Sequence, residues 1–313
     1  SALDHREPAT PLALVRIAVA AVWLAHLTRL VGLGVADAIW LSAEHGGMRE
    51  ISSAGWRVDL LGGATPGVVY PLIAASALAA AGTLVGWGGR AVHFAHLQLM
   101  CALAGINSMT GGSYDELMAN TMWLVVLAPA NATLSLDCYR RTGRWTDDTP
   151  APSWARGLMV FQLVLMYTST GWQKLSTHWV PGGDLLALYY ILQQPSWARW
   201  DHAWAAWVAP LTQLATLVSW LWEVFAPLWM VAWVRLAQAE RRGQAASRGW
   251  LGVFATWTAL GVVFHLGIEA LMDVGPFGWA SLALYPALFS HARWQAARAR
   301  LSRSAASRSA TPG

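Results

Sequence analysis

Eight apolar runs, most of them near 20 residues, leave this chain one kind of fold. They occupy 11–33, 66–87, 90–109, 116–130, 154–172, 205–234, 249–272 and 277–290. About 20 helical residues cross about 30 Å of hydrocarbon, and backbone in lipid must satisfy its own hydrogen bonds. The fourth and last runs are short, so they are expected to tilt or to lie partly buried. Only 12% of the residues are charged, against roughly 25% in an ordinary soluble domain. Mean hydropathy is +0.38. The expected fold is an all-α integral membrane protein, a bundle of about eight transmembrane helices forming one domain over 1–292. A tail rich in Arg, Ser and Ala follows at 293–313 and is expected to be solvated or to touch lipid.

The cations test that count. With both termini inside, sixteen fall on inner segments: Arg6, Arg16, Arg90, Arg140, Arg141, Arg144, Arg156, Arg235, Arg241, Arg242, Arg248, Arg293, Arg298, Arg300, Arg303 and Arg308. Five fall outside: Arg29, Arg49, Arg57, Lys174 and Arg199. This bias follows the positive-inside rule. A net charge of +4 therefore reads as a topology signal and not as a nucleic-acid surface. The expected location is a bacterial inner (cytoplasmic) membrane, with cytoplasmic termini and a site toward the outer face. Nothing after the first run resembles a signal-peptide cleavage site, and the start at Ser1 without methionine is expected to reflect processing or an expression scar.

Two outer connections, 34–65 and 173–204, are too long to be plain links. Trp197, Trp200, Trp204 and Trp207 recur at spacings that share one helical face. An outer interfacial Trp-rich helix is expected there, although an ordinary aromatic belt accounts for the same spacing. No internal repeat, phosphate loop or nucleotide motif is found, and Cys101 and Cys138 have neither disulfide nor metal spacing.

Lys174 is the only lysine in the chain. Arginine stays charged in proteins, whereas a desolvated lysine can reach neutrality and serve as a base. GC-rich coding would also favour arginine and leave one lysine by chance. His26, Arg29, Asn107, Tyr114, Asp115, Glu116, His265 and Glu269 are expected at the same outer depth. Such groups face a bundle interior or a wet cavity; proton abstraction, a structural polar plug and an ion path all fit them. Glu223 reads as a mid-membrane carboxyl that is protonated or paired with a neighbouring span. His93 and His96, three apart, are expected to form interhelical hydrogen bonds, since zinc needs three or four ligands. No metal site is expected.

The stretch Gly171-Trp-Gln-Lys-Leu-Ser-Thr-His-Trp-Val-Pro-Gly182 resembles the vitamin K-dependent γ-glutamyl carboxylase family and its bacterial relatives with the HTTM membrane domain. Gly171, Lys174, Leu175, Trp179, Val180 and Gly182 keep the family register; Phe264-His265, Gly275 and Phe277 match a second stretch, and Arg16 and Arg90 suit further positions. The resemblance implies that Lys174 deprotonates a reduced vitamin K (phylloquinone or menaquinone hydroquinone), which reacts with O₂. The strong base so formed takes a γ-proton from a glutamyl or related acceptor, CO₂ adds, and the quinone leaves as an epoxide. It implies catalytic roles for Lys174, His265, Tyr114 and Asp115, and quinone contacts from Trp172, Trp179, Phe264 and Phe277. The implied partners are the lipid bilayer, an isoprenoid quinone and a peptidic or small-molecule carboxyl acceptor, held by the outer loops or by another protein. The sequence departs from the pattern where a family histidine falls on Tyr114 and an asparagine on Ile268, and the large lumenal domain of the animal enzymes is missing. Hydroquinone oxygenation is thus implied more firmly than carboxylation. A transporter or proton path and a non-catalytic assembly subunit are the competing classes.

Overall fold

The computed structural model describes residues 5–299. The described chain is mostly helical. In order it forms α1 (Thr10–Gly32), α2 (Ala36–Trp40), α3 (Trp56–Asp59), α4 (Pro66–Val85), α5 (Gly89–Ile106), α6 (Ser113–Leu127) and α7 (Leu136–Thr142). Then come α8 (Trp154–Gln173), α9 (Ala187–Leu192), α10 (Ala209–Val224), α11 (Ala226–Arg241), α12 (Arg248–Leu271) and α13 (Phe277–Leu282). Two short strands, β1 (Arg6–Pro8) and β2 (Pro150–Pro152), pair antiparallel.

By length and apolarity α1, α4 and α12 can each cross a membrane, and a fourth crossing is reached if the bent pair 203–224 and Ala226–Arg241 counts as one span. The other expected crossings rest on shorter or more polar helices. The last run is not one helix, because α13 stops at Leu282 and Tyr285–Leu288 is a 3-10 turn. Exposed apolar side chains line the candidate spans: Leu211, Leu214 and Val218 on α10, Leu228 and Val231 on α11, Leu251, Val263 and Leu266 on α12. A surface of that kind is a liability in water and suits lipid. This is a membrane protein.

Two compact units are present. The first comprises 5–159 with 283–299. Its helices α1, α4, α5 and α6 pack on one another, and the buried Trp23 indole donates to Ser76 Oγ across α1 and α4 at 2.9 Å. Burying a cation is costly unless it is paired and hydrogen-bonded, and Arg16 meets that condition in part, since its Nε has no hydrogen-bond partner among the described residues. Its guanidinium donates to Asn131 Oδ1 and the Leu134 carbonyl, both at 2.5 Å, and Asn131 in turn donates to Asp137 at 2.8 Å. Gly86 sits against this cluster with φ 68°; a Cβ there would fall 2.0 Å from Arg16 Nη1. Only glycine fits. At the chain start Glu7 pairs with Arg156, whose guanidinium also donates to the Ala287 carbonyl.

The second unit is Val160–Leu282. Here the sixth expected run, 205–234, is not a single helix. It breaks at Phe225 with a 52° bend. Pro227 explains the break, since it lacks an N–H and its ring clashes with the carbonyl four residues back, that of Glu223. Leu228 N then bonds the Phe225 carbonyl, which leaves the Val224 carbonyl free to accept the Trp172 indole at 3.3 Å.

The Trp-rich helix expected over 197–207 does not form. Ala198 bridges Met272, the Arg199 guanidinium donates to the Met272 carbonyl, and the Trp200 indole donates to the Ala270 carbonyl at 2.7 Å. The regular structure is a 3-10 segment, Ala203–Val208. Tryptophan spacing at 3 and 4 fits a helix, but the open carbonyls ending α12 recruit Arg199 and Trp200 instead.

Candidate functional site

Lys174 follows the last residue of α8 and its side chain turns to the end of α10. Nζ lies 2.7 Å from Glu223 Oε1 and 2.6 Å from Oε2. Both members are sheltered, with side-chain exposures of 24% for Lys174 and 4% for Glu223. Close approach of the two helices makes this possible. A Cβ on Gly171 would fall 2.7 Å from Glu223 Cβ and 2.7 Å from Val224 N, so any other residue would push α10 away. The Trp220 indole completes the joint by donating to the Lys174 carbonyl at 3.1 Å. Glu223, expected at mid-membrane as protonated or paired, is thus the partner of Lys174 at the broken end of α10.

The loop after Lys174 folds back over it. Trp179 presents its indole face to Nζ, 4.4 Å from the ring centroid, a cation–π contact. Asp184 N donates to the Thr177 carbonyl at 3.1 Å, and His178 Nδ1 lies 2.8 Å from the Asp184 carboxylate. The Leu186 amide, at 3.0 Å, and then His178 hold that carboxyl below its ordinary value. Gln213 of α10 donates to the Asp184 carbonyl at 2.8 Å and ties the loop down.

His265 on α12 forms a second group in the same unit. It is fully buried, and its Nε2 lies 2.6 Å from the Tyr167 hydroxyl. Phe264 and Phe277 stand edge-on to its ring at 5.2 and 5.5 Å. Trp222 packs on Tyr167 at 4.4 Å, and the Trp222 and Trp257 indoles each donate to the other residue's carbonyl. The two groups share a scaffold. Tyr167 lies on the last two turns of α8, seven residues before Lys174, and Trp222 directly precedes Glu223. Glu269 accepts from the Gly278 amide at 3.0 Å and joins α12 to α13.

Of the residues expected at the site, the structure brings Lys174 and Trp179 together. It encloses His265 between Phe264 and Phe277, and it sets Trp172 at the break. Tyr114 and Asp115 belong to the first unit. There the Tyr114 ring meets His26 edge-on at 5.9 Å, and Asp115 caps α6 through the Gly112 amide at 2.8 Å. His93 makes the expected bonds, to Thr83 at 3.3 Å and Asn131 at 2.9 Å, whereas neither ring nitrogen of buried His96 has a hydrogen-bond partner among the described residues. Sequence reasoning gave Tyr167 no role. A tyrosine seven residues before the lysine, at the end of the same apolar run, was the available signal.

A neutral ion pair under an indole, beside a dry aromatic shell holding a histidine and a phenol, can store and move a proton in a low-dielectric setting. The HTTM domain family matches residues 5–234, a span that contains both Lys174 and Glu223 and ends before His265. No curated protein and no solved structure matches the chain. The match covers most of the sequence, and the chain belongs to the HTTM domain family, the domain of vitamin K-dependent carboxylase-like proteins.

Proposed function

We propose that this carboxylase-related membrane protein is an enzyme that takes a proton from a reduced vitamin K at Lys174 and couples oxygenation of that quinol to carboxylation of a glutamyl or related acceptor. The observation that carries the reading is the Lys174–Glu223 pair held under the Trp179 indole. A quinol ring needs a flat aromatic face and a proton acceptor at one hydroxyl, and Trp179 and Lys174 supply these within 4.4 Å of each other. When bound, phylloquinone or menaquinone in its hydroquinone form supplies the chemistry with O₂ and CO₂ that ends in epoxide and carboxylated product. The protein's own part is narrower. Lys174 accepts the hydroxyl proton, Trp172 and Trp179 flank the ring, and Phe264 and Phe277 keep water from His265. His265 acts through the Tyr167 hydroxyl, which occupies its Nε2. Tyr114 takes the place of a family histidine and is assigned to the carboxylation half, so Tyr114→Phe should retain epoxide formation and lose carboxylated product.

This reading keeps the eight-crossing topology with both termini in the cytoplasm of a bacterial inner membrane, and places Lys174 toward the outer face. The sixteen-to-five distribution of cations supports it. Anaerobic reduction of vitamin K with the purified protein, followed by air, tests the activity. Epoxide should form with the wild type. One observation favours a second reading: the helix break at Phe225 lies beside the ion pair, as broken helices do in proton-coupled transporters. Proton flux into sealed vesicles without quinone, and no epoxide, would select that alternative.

A further inference from the structure

Lys174 faces a difficulty as a base that the structure itself resolves. A carboxylate chelating its ammonium with both oxygens, at 2.6 and 2.7 Å, holds the proton in place. A lone cation at a sheltered helix end is costly, and so is a lone carboxylate as buried as Glu223. Together they carry no net charge. Moving the proton from Nζ to a Glu223 oxygen along either hydrogen bond yields an amine and a carboxylic acid, again with no net charge. Reaching the free amine this way separates no charge in the low-dielectric joint between α8 and α10.

We propose that Glu223 is the positioning residue that governs Lys174: it stores Lys174 as an ammonium in the resting protein and takes that proton when a weakly acidic hydroxyl compound arrives. The balance is complete. The substrate O–H breaks, its proton goes to the Lys174 amine, and the substrate anion replaces Glu223 as counter-ion. The proton formerly on Lys174 remains on the Glu223 carboxyl, and nothing is oxidised or reduced. Three features of the sequence serve this arrangement. Gly171 permits contact between the helices, with only 2.7 Å available to a Cβ. Pro227 breaks the helix just beyond Glu223 and so leaves the carboxylate at a helix end. Trp179 lies over Nζ, 4.4 Å from its ring centroid, and shields part of the amine while it is neutral; the side chain stays 24% exposed.

The proposal rests on reading Lys174 as the base, yet its test needs no turnover, so the two can fail separately. Lys174 is the only lysine, and an acetylating reagent marks it and the N-terminal amine alone; peptide mass spectrometry then reads the ratio at one fixed pH. With the full chain in nanodiscs, Lys174 should be acetylated slowly in the wild type and in Glu223→Asp. In Glu223→Gln and Glu223→Leu it should react at least about tenfold faster, the equivalent of about 1.4 kcal/mol. Gln and Leu keep the bulk of the side chain and lose its charge. If Glu223 merely shields Nζ, both variants stay slow, and that result overturns the proposal. Should the variants fold poorly, melting temperatures decide. Lys174→Met with Glu223→Met should be more stable than either single change, because each single change strands a charge. Additive losses would overturn the proposal equally.

Discussion

The Tyr167 hydroxyl lies 2.6 Å from Nε2 of His265, joining α8 to α12 inside a shell of Trp222, Phe264 and Phe277. Both residues are fully sheltered, so water cannot replace the bond when it is lost. Tyr167→Phe removes the oxygen and keeps the ring. We expect a loss of roughly 1–3 kcal/mol from the desolvated imidazole left behind, read as a lower melting temperature. Because His265 is assigned to act through Tyr167, this variant and His265→Ala should lower quinol turnover to a similar degree. Full turnover in Tyr167→Phe would remove His265 from the reaction.

Gly171→Ala should be far more damaging than an ordinary helix glycine change, which raises helix propensity. Its methyl group would meet Glu223 Cβ and Val224 N at 2.7 Å, both part of a rigid helix end. Overpacking of this kind costs about 1–3 kcal/mol. The expected outcome is a lower melting temperature together with faster acetylation of Lys174, as Glu223 is pushed off. A variant as stable as the wild type with slow acetylation would show that α8 and α10 do not touch there.

The loop carrying Trp179 should open in acid. The Leu186 amide and His178 hold the Asp184 carboxyl below its ordinary value of 3.8. A depressed folded value means that the stabilisation is present above about 4 and is lost as pH falls through the lower folded value. Pepsin cleavage within 175–187 should therefore rise as pH falls below about 4. Asp184→Asn should already be cleaved rapidly at that upper limit and converge with the wild type at lower pH. A variant indistinguishable from wild type throughout would mean that Asp184 does not hold the loop.

Much of the site was visible from residue types, and little of its pairing. A lone lysine after an apolar helix marks itself, and Glu223 stands out because hydrocarbon rejects carboxylates. What joins them is a contact 49 residues apart in sequence, made by the absence of a side chain at Gly171, and no periodicity reports that. The break at Phe225 was legible in Pro227, but the high apolarity of 205–234 masked it, since hydropathy measures length in lipid and not helix continuity. Tryptophan spacing misled over 197–207 for a related reason. Periodicity describes an isolated helix, and there the competing partner was the carbonyl end of α12. The N-terminal unit fared similarly: Arg16 was placed at the inner side, while its bonds to Asn131 and Leu134 depend on how 128–137 folds back.

Topology can be checked independently of chemistry. In a background lacking Cys101 and Cys138, single cysteines at positions Ser113 and Ser247 should react with a membrane-impermeant maleimide from opposite faces of sealed vesicles. Ser113 begins α6 and Ser247 precedes α12. Labelling of both from one face would end the eight-crossing arrangement and with it the outward placement of Lys174.

The most direct test of the account is quinol turnover by Lys174→Arg. Arginine keeps the positive charge and can still pair with Glu223, but it cannot give up its proton in a protein. With reduced vitamin K under air, the wild type should form epoxide, and Lys174→Arg should form no more than Lys174→Ala. Epoxide formation by the arginine variant at the wild-type rate would contradict the account and leave Lys174 as one half of a structural ion pair.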